Sequence, residues 1–322
     1  MIKTKWKSII AIWISVFLFM SFFMMFSGCQ ALFENSESTG TDEPEEKSSV
    51  FYLLGNDKVE GQMMGCVVQT MGGKTIVIDG GSEDALAKRQ LMDFLSENAN
   101  GHVDAWFFTH PHHDHIGAFH GIFSNIAGIT VDKIYHNFPS LDELETYGYR
   151  NAGEMKIWKE TADIFENKFA GKVQIVQPKD VFVVDEIKIT VLRVYDPTMT
   201  TNFVNNSSVV YRIENDHKSF LILGDLGVQG GAELMKNCSL ELLQTDYTQM
   251  AHHGQGGVNQ EFYAYIKPKR CIWPTPDWLW DNDNGGGFDT GPWQTVRTRE
   301  WMEELGVTEH WVAKDGTQGI KF

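Results

Sequence analysis

Thr109-His110-Pro111-His112-His113-Asp114-His115 packs four histidines and an aspartate into six residues, directly behind the strand-like run Asp104 to Phe108. Imidazoles at that density cannot be ordinary core: each ring nitrogen needs a partner, and protonated rings repel one another. Metal cations meet both demands. A loop in which ligand and spacer alternate turns His110 and His112 toward one ion, and Asp114 and His115 toward a second a few ångström away. Pro111 stiffens the loop and removes an amide that would otherwise need a partner. The fold must therefore bring further ligands to this loop.

Three segments offer them. Thr75-Ile76-Val77-Ile78-Asp79-Gly80-Gly81 ends a buried strand with a carboxylate and two glycines, and Phe220-Leu221-Ile222-Leu223-Gly224-Asp225 repeats the device. Met250-Ala251-His252-His253-Gly254 ends another strand with paired imidazoles. Taken singly, Asp79 and Asp225 read as turn or cap residues. Beside the histidine run they become candidate ligands. His102, His120, His136 and His310 are isolated and read as structural or exposed, and His113 as a spacer.

From Val50 onward, short β-branched runs alternate with glycines and helical stretches, without a repeat of solenoid period. Strands are expected at 51–54, 66–70, 75–78, 103–109, 133–136, 173–176, 187–194, 208–213, 219–223, 247–250, 270–273 and 309–313. Helices are expected at 84–97, briefly after Gly117, at 154–169, 260–266 and 293–305. Hairpins in the middle, with helices between strands at both ends, give one α/β domain over 50–322, with two sheets and helices outside. A 42% apolar composition can fill that core.

The N-terminus reads as an address. Lys3, Lys5 and Lys7 precede the apolar run Ile9 to Phe26, and Ser27-Gly28 leads into Cys29. This resembles a bacterial lipobox, which implies a signal peptide over 1–28 and lipid on Cys29; the other reading is an uncleaved anchor helix. Both readings export the body, and the first places it on the extracytoplasmic face of the cell membrane. Residues 29–49, rich in Ser, Thr, Glu and Pro, read as a disordered acidic tether. Cys66, Cys238 and Cys271 remain, and a disulfide between two of them is open. Residues 50–322 carry 23 basic and 37 acidic side chains, a balance of −14. Broad duplex DNA binding, which needs an excess of Lys and Arg, is not expected.

Taken in order, the HxHxDH run, strand-end Asp79, the GD at 224–225 and the HHG at 252–254 resemble the metallo-β-lactamase superfamily. Asn205-Asn206-Ser207-Ser208-Val209-Val210, followed by LILGD and AHHG, is similar to the hydrolase domain of ComEC-like DNA-uptake proteins and their free-standing exported relatives. The resemblance implies an αββα four-layer sandwich with metals on loops at one edge. It implies His110 and His112 on a first metal, Asp114, His115 and His253 on a second, Asp225 bridging, and Asp79 orienting the histidine loop. His252 would face the substrate's phosphoryl oxygens, though the roles of His252 and His253 can be exchanged. Many superfamily members supply a third histidine between the run and the GD aspartate. Here that stretch gives Asn205, Asn206, Ser207 and Ser208, with His217 in a polar turn, so Mn²⁺ becomes an alternative to Zn²⁺.

Two divalent ions about 3.5 to 4 Å apart bring a bridging water's pKa near neutrality and neutralise an anionic ester, with Asp114 or Asp225 taking the proton. The resemblance favours a phosphodiester of nucleic acid, nucleotide or wall polymer as substrate. Hydrolysis of lactams, lactones or carboxylic esters stands as an alternative, as does a non-catalytic ligand-binding lipoprotein. Asn205, Ser208, Trp278 and Trp280 are candidate substrate contacts, the tryptophans as a stacking platform on a loop or as a cap on the core. Tyr147, Tyr149 and Arg150 fall in an insertion after the Phe138-Pro139 turn that could form one wall of the cleft, and they are not assigned to the site.

Overall fold

The computed structural model describes residues 47–125, 128–148 and 152–322. The expected signal peptide over 1–28, Cys29, most of the expected tether, Tyr149 and Arg150 lie outside the described residues. Strands β1 Val50–Leu53, β2 Gly65–Gln69, β3 Thr75–Asp79, β4 His102–Phe107, β5 Thr130–His136 and β6 Val173–Ile175 are followed by β7 Val181–Val184 and β8 Ile187–Arg193. Then come β9 Val210–Glu214, β10 Ser219–Ile222, β11 Tyr247–Gln249, β12 Cys271–Trp273, β13 His310–Val312 and β14 Gln318–Lys321. The longer helices are α1 Ala85–Ala99, α2 His113–Asn125, α3 Ala152–Lys168, α4 Val228–Asn237, α5 Gln260–Ile266 and α6 Thr295–Glu304.

Two seven-stranded sheets form, in the orders β14-β1-β2-β3-β4-β5-β6 and β13-β12-β11-β10-β9-β8-β7. Period-two alternation along β8 turns Ile187, Ile189 and Val191 toward the facing sheet, where they join Phe51, Val68, Ile76, Phe107, Tyr211 and Phe220 in one core. Phe51 stacks on Phe220 across it, with centroids 4.4 Å apart. The other face of the first sheet packs Val67, Val77 and Trp106 against α1, α2 and α3 through Leu91, Leu95, Phe119 and Trp158. The other face of the second packs Leu221 and Trp273 against α4, α5 and α6 through Leu234, Phe262 and Met302. The layers therefore run αββα. The Ala87, Leu91, Leu95 stripe makes α1 amphipathic, and Asp84 caps it by accepting from Leu86 N at 2.7 Å.

Several local expectations change. β7 and β14 appear where no strand was expected: β7 is an edge strand with exposed Val181 and Val183, and β14 closes the first sheet by pairing with β1. Gly230 and Gly231 hide α4 from a propensity reading. They let the helix pack tightly, since a Cβ on Gly230 would lie 2.3 Å from Leu226 Cδ1. α2 begins at His113, not after Gly117, so Asp114 and His115 project from its first turn. Asp277–Trp280 is a helical turn instead of a loop. Cys66, Cys238 and Cys271 are free. Among the described residues, no helix is long and apolar enough to cross a membrane.

Candidate metal centre

β3 and β4 pair in parallel, as do β10, β11 and β12, so within each sheet the loops that leave these strands emerge on one side. The loops carrying Asp79, His110, Asp225 and His253 meet there. His110 Nε2 lies 3.0 Å from His112 Nδ1 and 3.6 Å from Asp225 Oδ2. His115 Nε2 is 3.2 Å from Asp225 Oδ1, and His253 Nε2 is 3.1 Å from Asp114 Oδ2 and 3.7 Å from Asp225 Oδ2. Two ligand sets result, His110, His112 and Asp225, and Asp114, His115, Asp225 and His253, each with its donor atoms within 4.8 Å of one another. Asp225 belongs to both.

Asp79 stands behind them. Its Oδ1 accepts the Thr109 amide at 2.7 Å, while Oδ2 accepts Thr109 Oγ1 at 2.7 Å and faces His115 Nδ1 at 2.7 Å. An acceptor at that position puts the proton on Nδ1 and leaves Nε2 bare for a cation. The backbone is held in uncommon shapes: Asp79, His252 and His253 have φ of 57°, 52° and 53°. Adjacent histidines in the left-handed region cost of order 1 kcal/mol or more each. His253 is held there by Nδ1 donating to Pro274 O at 2.6 Å and by Thr275 Oγ1 donating to His253 O at 2.7 Å.

His252 Nε2 lies 3.9 Å from Asp225 Oδ2, outside the four-residue set, with its side chain 23% exposed. The geometry therefore puts His253 among the ligand atoms and His252 at the mouth. Burial works against ionised Asp225, yet His115, His253 and His110 outweigh it and hold the carboxyl well below the usual range. Burial also disfavours charged His115, but Asp225, Asp79 and Asp114 raise its pKa well above the ordinary imidazole value, and His253 is raised in the same way. Burial lowers His110, His112 and His252. So much carboxylate charge facing imidazole is an environment a dication satisfies better than protons.

The residues fit such ions. Both Asp225 carboxylate oxygens, His115 Nε2 and His253 Nε2 are buried, and their approaches of 3.1–3.7 Å leave them without a well-directed hydrogen bond, a cost that coordination removes. Imidazole and carboxylate donors suit Zn²⁺ or Mn²⁺. A third histidine is missing from the first set: His217 sits exposed in the Asn215 turn, where its amide donates to Asn215 Oδ1.

The four candidate substrate contacts part company. Ser208 is fully buried and its Oγ accepts the Asp225 amide at 3.0 Å, so it holds the aspartate loop and does not face a ligand. Trp280 lies edge-on to Trp273 at 5.2 Å beneath the Arg299 guanidinium, which makes it a cap on the core instead of a platform. Asn205 is buried, its Nδ2 donating to Asn202 Oδ1 at 3.1 Å while its Oδ1 has no hydrogen bond. Trp278 stays partly exposed against Trp293, with Nε1 donating to Glu60 O at 3.3 Å. Tyr147 packs on Phe203, with ring centroids 5.5 Å apart.

Other contacts gave little sequence signal. Gln62 Nε2 donates to Asp114 Oδ2 at 2.8 Å, and Gln255 Nε2 donates to Gln62 Oε1 at 2.7 Å, which ties the β1–β2 loop to the centre. Glu154 on α3 takes the His113 side chain, with Nδ1 and Oε1 2.5 Å apart.

A fold of this architecture with two ligand sets on one carboxylate defines a class. Residues 66–270 match the Metallo-beta-lactamase superfamily, and the chain belongs to it. That superfamily consists in general of metal-dependent hydrolases with dinuclear centres. Within it the chain is similar to ComE operon protein 3 of Bacillus subtilis (strain 168), with 25% identity over 191 residues. That match takes in 58% of this chain and 22% of the relative's length. Among solved structures, the metallo-beta-lactamase fold protein YhfI from Bacillus subtilis has a TM-score of 0.50 at 14% identity, covering 86% of this chain and 100% of that one. CmlA, a diiron beta-hydroxylase from Streptomyces venezuelae, has a TM-score of 0.51 at 12% identity, covering 87% and 55%. These likenesses are of fold alone.

Proposed function

We propose that the protein is an exported metal-dependent phosphodiesterase, held at the extracytoplasmic face of the membrane by lipid on Cys29. The observation that carries the catalytic reading is the buried Asp225 carboxylate, shared by two facing ligand sets whose donor atoms lie within 4.8 Å in each. His110 and His112 would hold one divalent cation, Asp114, His115 and His253 the other, and Asp225 both. When bound, the pair supplies Lewis acidity that lowers the pKa of water and neutralises anionic oxygens. This local positive charge lets an acidic body accept an anionic substrate.

The chain's own groups do the rest. Asp79 keeps the His115 proton on Nδ1. Gln62 fixes Asp114 Oδ2, and the Asp114 carboxylate takes the proton lost by the attacking water. His252, outside the ligand set and open to the mouth, donates from its ring to a nonbridging phosphoryl oxygen as charge develops there. The similarity to ComE operon protein 3 favours phosphorus over carbon as the electrophile, and the acidic body favours nucleotides or wall-polymer phosphodiesters over long duplex DNA.

The test combines metal analysis with a substrate panel: bis-p-nitrophenyl phosphate, oligonucleotides, a teichoic-acid-like polymer, a chromogenic lactam and a lactone. Turnover of phosphodiesters that disappears in Asp225→Ala is expected. Turnover only of lactam or lactone would assign the centre to carbon esters, and metal uptake without turnover would make the protein a binder. Labelled palmitate should enter the wild type and not Cys29→Ser.

A further inference from the structure

The Asn205–Ser208 segment lies where many relatives are expected to supply a histidine, and it acts on Asp225 from behind. Ser208 Oγ accepts the Asp225 amide at 3.0 Å, and Asn206 Oδ1 accepts Gly227 N at 3.0 Å and Gly230 N at 3.2 Å. The aspartate loop is clasped without slack: a Cβ on Gly224 would lie 2.8 Å from Thr109 Cβ and 2.9 Å from Ser208 Oγ.

The clasp has its own anchor. Arg193, at the end of β8 and 3% exposed, donates from Nη1 to Asn206 O at 2.8 Å and to Ser208 O at 3.0 Å. Its Nε donates to Glu233 Oε2 on α4 at 2.8 Å. Burying a guanidinium is costly, and an apolar side chain would join β8 to α4 at less expense of desolvation. What an apolar side chain cannot do is satisfy two backbone carbonyls and a carboxylate at once with a rigid planar fork.

We infer that Arg193 is a positioning residue of the dinuclear centre: by fixing the Asn206 and Ser208 carbonyls it sets the Asp225 carboxylate between the two ligand sets. The inference rests on reading these residues as a metal centre and does not depend on the substrate. It makes a distinctive demand. Asp225 is common to both sets, so disturbing Arg193 must weaken both cations, whereas disturbing Gln62, whose hydrogen bond reaches Asp114 in one set, must weaken one.

The experiment titrates chelator-stripped full-length protein with Mn²⁺ and Zn²⁺ against a chromophoric chelator, which reads binding without turnover. Arg193→Met is paired with Glu233→Gln so that no lone charge stays buried. Both affinities should fall at least tenfold while the metal-free protein, its melting temperature lowered by two unsatisfied carbonyls, still unfolds in one cooperative transition, and Gln62→Leu should lower one affinity only. Arg193 and Glu233 also line a cavity of about 790 Å³, beside Leu192, Val194, Leu234 and Cys238, which offers a route for chemical rescue. Millimolar methylguanidinium should restore affinity to Arg193→Ala. Affinities within twofold of wild type, or loss of a single cation, overturn the role given to Arg193. Should the double variant fail to fold, Ser208→Ala tests the same clasp: both cations weakened supports the inference, both unchanged overturns it. A wild type that takes up no divalent cation refutes the metal-centre reading itself, and this inference with it, before any variant is compared.

Discussion

Replacing Asp79 by Asn preserves size and suits the left-handed backbone, where Asn is tolerated, but it reverses the polarity of one atom in a closed network. Oδ1 must continue to accept the Thr109 amide, so the new NH₂ takes the place of Oδ2 and faces Thr109 Oγ1 and His115 Nδ1, each 2.7 Å from that oxygen. The threonine hydroxyl can accept instead, but Oγ1 also faces His110 Nδ1 at 3.1 Å and its own proton loses the acceptor it had. The imidazole has no such freedom: Nδ1 must give up its proton, which moves to Nε2, the atom 3.2 Å from Asp225 Oδ1. Coordination then requires either losing His115 as a ligand or opposing two donors, a penalty of about 1–3 kcal/mol. That corresponds to about a 5- to 150-fold loss of affinity for one cation. Folding stability of the metal-free protein should also drop, by about 2–4 kcal/mol, because all three hydrogen bonds to the Asp79 carboxylate lose their charge assistance. Chelator competition measures the affinity, and long-range nitrogen–proton NMR on histidine-labelled protein reads the tautomer. Wild-type affinity combined with a His115 proton still on Nδ1 would refute this account of Asp79.

Three further outcomes are expected. Burial pushes His136, stacked on Phe165 with centroids 5.0 Å apart, down to about 3 from 6.5. The unfolded chain therefore binds a proton that the folded one refuses between those values, and stability falls by about 1.4 kcal/mol per pH unit on acidification through that window. In His136→Gln, acid titration of the unfolding free energy should be shallower by that amount. Gly224→Ala, forced to φ of 56° and against Thr109, should lower stability by about 1–3 kcal/mol in a denaturant melt and weaken both cations. Adding Zn²⁺ or Mn²⁺ at a hundred times its dissociation constant should stabilise the stripped protein by about 2.7 kcal/mol, read as a rise in melting temperature that a chelator reverses.

Much of the centre was legible because its ligand types are written in short covalent runs. His110, His112, Asp114 and His115 share one loop and one helical turn, and the strand-end Asp79, Asp225 and His253 follow apolar strands whose patterns mark their ends. Most expected strands agree with the observed ones to within a few residues, since burial on both faces leaves long β-branched runs such as Thr75–Asp79. Elements carried by weaker patterns were missed: edge strand β7, whose outer face is apolar without being buried, and α4, whose glycines lower its propensity.

The sequence alone determined which ligand types the chain offers to a metal centre, because residue identity and spacing within a run of six residues are fixed by the covalent chain. The tertiary structure decided how that chemistry is held. Only folding could choose His253 over His252 for the ligand set, turn Ser208 and Trp280 away from the mouth, and recruit Gln62 and Arg193. Gln62 meets Gln255 across 193 residues of chain and Glu233 reaches Arg193 across 40. Such contacts follow from sheet order and packing, and no local pattern of side chains encodes them.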